Sequence, residues 1–216
     1  MSNHPPAEFY SSSCPETALS SSLPDQGHRS LLLESVDDVE IQVYTGVRSL
    51  ARKLKIQADG LIAGGSSQFA VFRPVTRSQF STLDRERHQI GRYTRIMYSE
   101  EEQTMIVKLM PAAGHEAAYT TFVRRLTYSM ALMGIPVGEI VKMGSTRFEG
   151  RSASKEADAA MKPIPSRRLA TDWPTLVFES GLSEFLSRLR TDAKWWLTNS
   201  SGQVKIVILI DIDLDA

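Results

Sequence analysis

Glu116, Asp158 and Glu179 are the acidic residues of this sequence whose settings suit chemistry rather than solvation. Glu116 stands in the first turn of the longest helical pattern, sharing a face with Tyr119, Val123 and Met130 at the edge of an apolar stripe. Asp158 lies in the short segment Lys155-Glu-Ala-Asp-Ala-Ala-Met161, and Glu179 closes the apolar run that starts at Thr175. A carboxylate in such a run is costly to bury unless it is paired or binds a cation. Two or three oxygens of this kind suit Mg²⁺ (or Mn²⁺), which takes carboxylates, waters and a substrate phosphate. Such an ion lowers the pKa of a bound water and offsets charge on a scissile phosphate. A lysine near that water would orient it or stabilise the transition state, and Lys194 is the candidate. Each residue also has a plainer role open to it. Glu116 can favour a helix N-terminus through the dipole. Asp158 can sit at a strand edge with Glu156 beside it, Glu179 can pair with an arginine at the core edge, and Lys194 can be a solvated residue one turn after Arg190. Trp195 and Trp196 read as packing rather than base-stacking residues.

Periodicity locates the elements that would hold these groups. Val47, Leu50, Ala51 and Leu54 make a helical stripe after a short strand near Ile41 and Val43. Residues 73–95 are arginine-rich without a clear period. Tyr93–Tyr98 and Met105–Met110 read as a β-hairpin. His115–Met133 reads as a helix with Tyr119, Phe122, Val123, Leu126, Met130 and Met133 on one stripe, and Gly134 and Pro136 past its end. Val137–Met143 is a predicted strand, Ser152–Lys155 a loop and Ala157–Met161 a short strand. Thr175–Glu179 is a buried central strand. Ser183 is a predicted N-cap for a helix through Leu197, whose apolar face is Leu182, Leu186, Leu189, Ala193, Trp196 and Leu197. Val204–Ile210 is the last strand. The order predicts an α/β domain with a mixed central sheet flanked by helices.

Composition bounds the rest. At 216 residues, 42% hydrophobic and 23% charged, the chain holds one domain with a tail. Residues 1–30 are predicted to be a disordered Ser/Pro-rich acidic tail, 31–91 an N-terminal extension and 92–216 the main domain. The net charge of zero hides a segregation. Residues 1–40 carry seven acidic groups and one basic, and the remainder carries 24 basic and 18 acidic. A mildly basic domain suits a polyanionic partner such as nucleic acid, and a homodimer is compatible. The longest apolar run, Ile206–Ile210, is strand-sized, so no membrane partner is expected. No basic start leads into an apolar stretch, and Cys14 is alone. Both suit an intracellular protein, cytoplasmic or nuclear and not secreted. Sharper motifs are excluded. His115-Glu116-Ala-Ala-Tyr119 lacks a zincin's second histidine, and Gly64-Gly65-Ser66-Ser67 has no P-loop lysine. Asp211, Asp213 and Asp215 alternate without the glycine of a calcium loop.

Gly114-His115-Glu116-Ala117-Ala118, Glu156-Ala-Asp158-Ala-Ala160, Trp173-Pro-Thr-Leu-Val-Phe-Glu179-Ser-Gly-Leu-Ser183 and Arg190-Thr-Asp192-Ala-Lys194-Trp-Trp196 occur in that order. Together they resemble the restriction-endonuclease-like proteins abundant in cyanobacteria, members of the PD-(D/E)XK superfamily, and a group of fungal proteins of the same pattern. The resemblance spans about residues 92–213 and lies in order and spacing more than identity. It implies a restriction-endonuclease-like core and metal-dependent hydrolysis of phosphodiester bonds in DNA or RNA. Asp158 and Glu179 would be the metal ligands, Glu116 the helix acid, and Lys194 a lysine moved to the following helix. Two departures stand out. Ala157 replaces the motif's proline, and Glu179-Ser180-Gly181 lacks the lysine at its third position. A lysine on the next helix is known in the superfamily, and loss of the lysine marks its inactive members. The alternative is therefore a catalytically inactive domain of the same fold that binds nucleic acid or a protein partner.

Overall fold

The computed structural model describes residues 33–36, 38–110, 112–144, 146–182 and 186–212; the side chains of residues 112–119 and 137 fall outside that description. The tail expected over residues 1–30 and the Ser183 cap lie outside the described residues. The strands build two mixed sheets instead of the single central sheet expected. The first sheet holds β1 (Ile41–Gln42), β2 (Phe69–Phe72), β4 (Thr104–Leu109), β3 (Thr94–Ser99), β7 (Ser154–Glu156) and β6 (Arg147–Glu149), in that spatial order. Its pairs are antiparallel except β1 with β2. The second runs β10 (Ile206–Ile212), β9 (Leu176–Leu182), β8 (Ala159–Pro163) and β5 (Ile140–Met143), with β10 and β9 parallel. Residues 41–72 thus contribute two strands to the sheet that contains the β3–β4 hairpin.

Period-two alternation sorts the side chains into layers. From the six-stranded sheet, Ala70, Phe72, Ile96, Tyr98, Met105 and Val107 face helices α1 (Val47–Ile62) and α2 (Arg77–Arg85). Phe69, Val71, Met97 and Ile106 face the opposite way. They pack with Val177 and Ala160 of the second sheet and with Trp195 and Trp196 of helix α4 (Leu186–Asn199). The far face of the second sheet, with Ala159, Met161, Phe178, Ile208 and Ile210, is covered by Val123 and Leu126 of helix α3 (Ala112–Leu132). Among the described residues no helix is long and apolar enough to cross a membrane.

Several expectations are corrected by tertiary context. Ser152–Lys155 is not wholly loop, because Ser154–Glu156 is a strand whose three polar residues are all buried. Glu179 does not end its strand; β9 continues to Leu182 and places Glu179 in its middle. The arginine-rich stretch contains α2, started by a capping box in which Thr76 and Gln79 satisfy each other's backbone N–H. On α4 the buried face carries Arg188 and Asp192 beside Leu189, Trp195 and Trp196, while Leu197 is 47% exposed. Of the expected stripe, Phe122 on α3 and Met133 just past its end are exposed and Val123 is buried.

The turn between β6 and β7 is packed against α4. A Cβ on Gly150 would meet Trp195 Cζ2 and Asn199 Oδ1 at 2.7 Å and the Ala153 carbonyl oxygen at 2.9 Å. Gly150→Ala should therefore lower stability by about 1–3 kcal/mol through overpacking. Urea denaturation reads this directly, and an unchanged midpoint would contradict the packing described.

Candidate functional site

Lys108 is the one charged residue of strand β4, whose six residues are all buried. It pairs across the sheet with Phe69 and Arg95. Alternation puts Lys108, Arg95 and Lys155 on the face that meets the second sheet, since Lys155 lies opposite Met97. The second sheet answers with carboxylates. The chain leaves one sheet at Glu156 and joins the other at Ala159, so Asp158 sits at the crossing. Glu179, next in parity to Val177, points into the same layer, and α4 brings Asp192.

Lys108 Nζ donates to Asp158 Oδ2 at 2.7 Å and to Glu179 Oε2 at 3.2 Å. Asp158 Oδ2 also accepts from Ser180 N at 2.7 Å and Ser180 Oγ at 3.0 Å. Glu179 Oε1 accepts from Trp196 Nε1 at 2.6 Å and lies 3.4 Å from Lys155 Nζ. Lys155 Nζ is 3.0 Å from Asp192 Oδ1, and Arg188 is 3.2 Å from that same oxygen. One Asp192 oxygen is thus shared between two buried cations. All five acid and lysine side chains of the cluster are sealed from solvent, Glu179 completely.

The environments push the acids apart. For Asp158, burial alone would raise the pKa, but the Lys108 ammonium, Arg95 and the Ser180 amide hold it below the usual carboxylate range. Asp192 is likewise lowered: burial opposes ionisation, and Lys155, Arg188 and Lys108 outweigh it. Glu179 ends raised, because burial and the neighbouring Asp158 and Asp192 charges exceed the help from Lys155 and Lys108. Burial would lower Lys108, but Asp158, Glu179 and Asp192 raise it, so it stays an ammonium and cannot act as a base.

The expected site residues are thus split. Asp158 and Glu179 come together on one ammonium. Glu116 lies in the first turns of α3, and its side chain is outside the described residues. Lys194 does not reach the cluster: its side chain is 56% exposed, 3.9 Å from Glu34. It follows Asp192 by two positions, roughly 200° around the helix, so the turn that buries Asp192 sends Lys194 outward. Glu156, the neighbour of Asp158, faces the other side of its sheet, where it accepts from Arg87 at 3.0 Å and Arg147 at 2.7 Å. Sequence reasoning does not single out Lys108, Lys155, Asp192 or Trp196 as members. The signal available for Lys108 is a lone lysine inside the apolar run Met105–Met110.

The donor set does not fit a divalent ion as arranged. Between the two acids the cation position is filled by Lys108 Nζ, and both Glu179 oxygens already face donors. Of the four oxygens, only Asp158 Oδ1 is buried without a hydrogen-bond partner among the described residues, with Arg95 Nε at 4.0 Å. Compared with known proteins, the chain matches no family model, no curated protein and no solved structure.

Removing the bridging cation should be severe. Lys108→Met is expected to cost about 3–5 kcal/mol, the range for breaking a buried ion pair, because it strands two buried carboxyls. Glu179→Gln should cost less than Asp158→Asn, since Glu179 is the acid whose charged form the fold disfavours. A reversed order in urea denaturation would contradict this arrangement. The pH dependence has a definite sign. A depressed acid stabilises the fold above its unfolded pKa, about 3.9 for aspartate, and the contribution is lost as pH falls through the lower folded value. The stability gap between wild type and Asp158→Asn should hold from neutrality to about pH 4 and close below it.

Proposed function

We propose that this is a catalytically silent domain of restriction-endonuclease-like design that binds nucleic acid through its surface. The observation that carries the reading is the Lys108 ammonium seated between Asp158 and Glu179, where a nuclease would hold its metal. An acid pair neutralised by lysines and closed to solvent offers no place for a water and a phosphodiester to meet. The three carboxylates of the cluster meet four cations, Lys108, Lys155, Arg188 and Arg95, so most of the surplus of basic residues over acidic in 41–216 lies elsewhere. Exposed Arg48, Arg52 and Lys55 follow one another at i, i+4 and i+7 along α1, opposite its buried leucines. Arg124 and Arg125 are exposed on α3. Cationic stripes of this kind contact phosphates by counterion release and carry little sequence information.

One observation favours a second reading, a Mg²⁺- or Mn²⁺-dependent nuclease. Asp158 and Glu179 converge with two lysines at hand, and Asp158 Oδ1 is left without a donor among the described residues.

The full chain should be offered plasmid, single-stranded DNA and RNA with Mg²⁺ or Mn²⁺, and binding followed by fluorescence anisotropy over a salt series. No cleavage is expected, with binding that weakens steeply as salt rises. Replacing Arg48, Arg52 and Lys55 together by alanine should lower the log K against log salt slope by about 2–3, near one per lost phosphate contact. Metal-dependent cleavage that disappears in Asp158→Asn would overturn the silent reading in favour of the nuclease. Absence of binding at low salt would overturn the nucleic-acid role.

A further inference from the structure

Strand β10 stands at the edge of the four-stranded sheet, and among the described residues no strand pairs with its outer side. Its run Ile206-Val-Ile-Leu-Ile210 is long, apolar and free of proline, a composition that leaves an edge open to pairing. Both of its faces are approached, by α3 and by α4, yet Val207–Ile210 remain only half-buried, as expected of a strand at the edge of a sheet. Ile206 N–H donates to the Thr175 carbonyl of the segment leading into β9. The parallel ladder alternates, so the N–H and C=O groups of Val207 and Leu209 point outward.

We propose that β10 pairs antiparallel with β10 of a second copy of this chain, joining the two four-stranded sheets across a twofold axis at Ile208. The charges at the strand's ends point to a second copy as the partner, and the pair Lys205 and Asp211 defines the register proposed. Lys205 and Asp211 share one face by alternation, and both are exposed. Neither has an ion-pair partner among the described residues. With the axis at Ile208, Val207 of each copy faces Leu209 of the other, and their outward backbone groups exchange both hydrogen bonds. The same register sets Lys205 opposite Asp211 twice, a self-complementary pattern of the kind a twofold interface requires. Centring on Val207 instead loses both charge pairs, and centring on Leu209 sets position 213, another aspartate, opposite Lys205 and leaves Asp211 out of the pairing. The proposal does not depend on the nucleic-acid reading.

Sedimentation equilibrium on the full chain, from low to high micromolar concentration, tests it. Twice the chain mass is expected. Lys205→Glu should weaken the dimer about tenfold by putting like charges opposite each other at two places. Lys205→Glu combined with Asp211→Lys should restore it. Leu209→Pro, which removes an outward-facing donor, should leave the circular dichroism of the fold unchanged and give monomer. A wild-type monomer throughout overturns the proposal. So does a dimer indifferent to Lys205→Glu, or one that the reciprocal pair does not rescue. The charge variants keep the test decisive if the proline variant fails to fold.

Discussion

A lysine ammonium buried in a strand of otherwise uncharged residues sets the terms for the layer between the two sheets. Desolvating such a charge costs several kcal/mol unless acids meet it at contact distance. Lys108 meets two, Asp158 at 2.7 Å and Glu179 at 3.2 Å, and they come from separate parts of the chain. The strand crossing at Ala157–Asp158, the position of β9 and the Ser180 donors must all agree for this to happen. Replacing the whole cluster by apolar groups need not weaken the fold, since buried ion pairs roughly break even against hydrophobic isosteres. What the cluster supplies is register. A slip of one residue in β4 would turn Lys108 onto the face occupied by Leu50, Leu54 and Phe80, where Glu156 is already paired with Arg87 and Arg147.

The same alternation divides the acids of one short segment. Glu156 and Asp158 are two apart, yet a strand ends between them and they serve different layers. Glu156 binds Arg87, Arg147 and the Ile96 amide on the helix-covered side. Asp158 closes the ionic layer on the other. Arg147 continues the first network to Asp84 on α2, and its guanidinium lies over the Phe80 ring at 4.6 Å. Each side of the six-stranded sheet is thus tied by ions to its neighbouring layer, with aromatic packing alongside.

Most elements are legible because their periods survive in the sequence. The β3–β4 hairpin, α1, α3, α4 and β10 lie within a few residues of where alternation or a helical stripe puts them. Two of the misses share one cause. Polarity signals exposure in most sequences, but in Ser154-Lys155-Glu156 and on α4 polar groups are buried because they are paired. The desolvation cost that makes Glu179 conspicuous in an apolar run bears equally on Lys108 in Met105–Met110. Motif spacing directs attention instead to residues after the second acid, and so to Lys194. The partner in fact lies 71 positions earlier, on a neighbouring sheet. No local pattern encodes that separation.

A pair of buried carboxylates needs about two positive charges nearby, and a divalent ion or two ammonium groups can provide them. The two solutions have opposite consequences for chemistry. A metal keeps waters and open positions, so its charge remains available to an entering phosphate. Lysines carry their charge on stems that fill the layer with methylenes, and their donors are spent on the acids that called for them. Trp196, giving its indole N–H to Glu179 while its rings pack on Phe148 and Trp173, completes the enclosure. With the interior closed, the binding we propose would fall to the remaining surface cations, on stripes such as Arg48, Arg52 and Lys55. An interior arranged for phosphodiester chemistry would draw a nucleic acid inward to its acids. Here lysine stems and the Trp196 indole occupy the space beside the acids, so the partner we propose would meet only the outside of the domain.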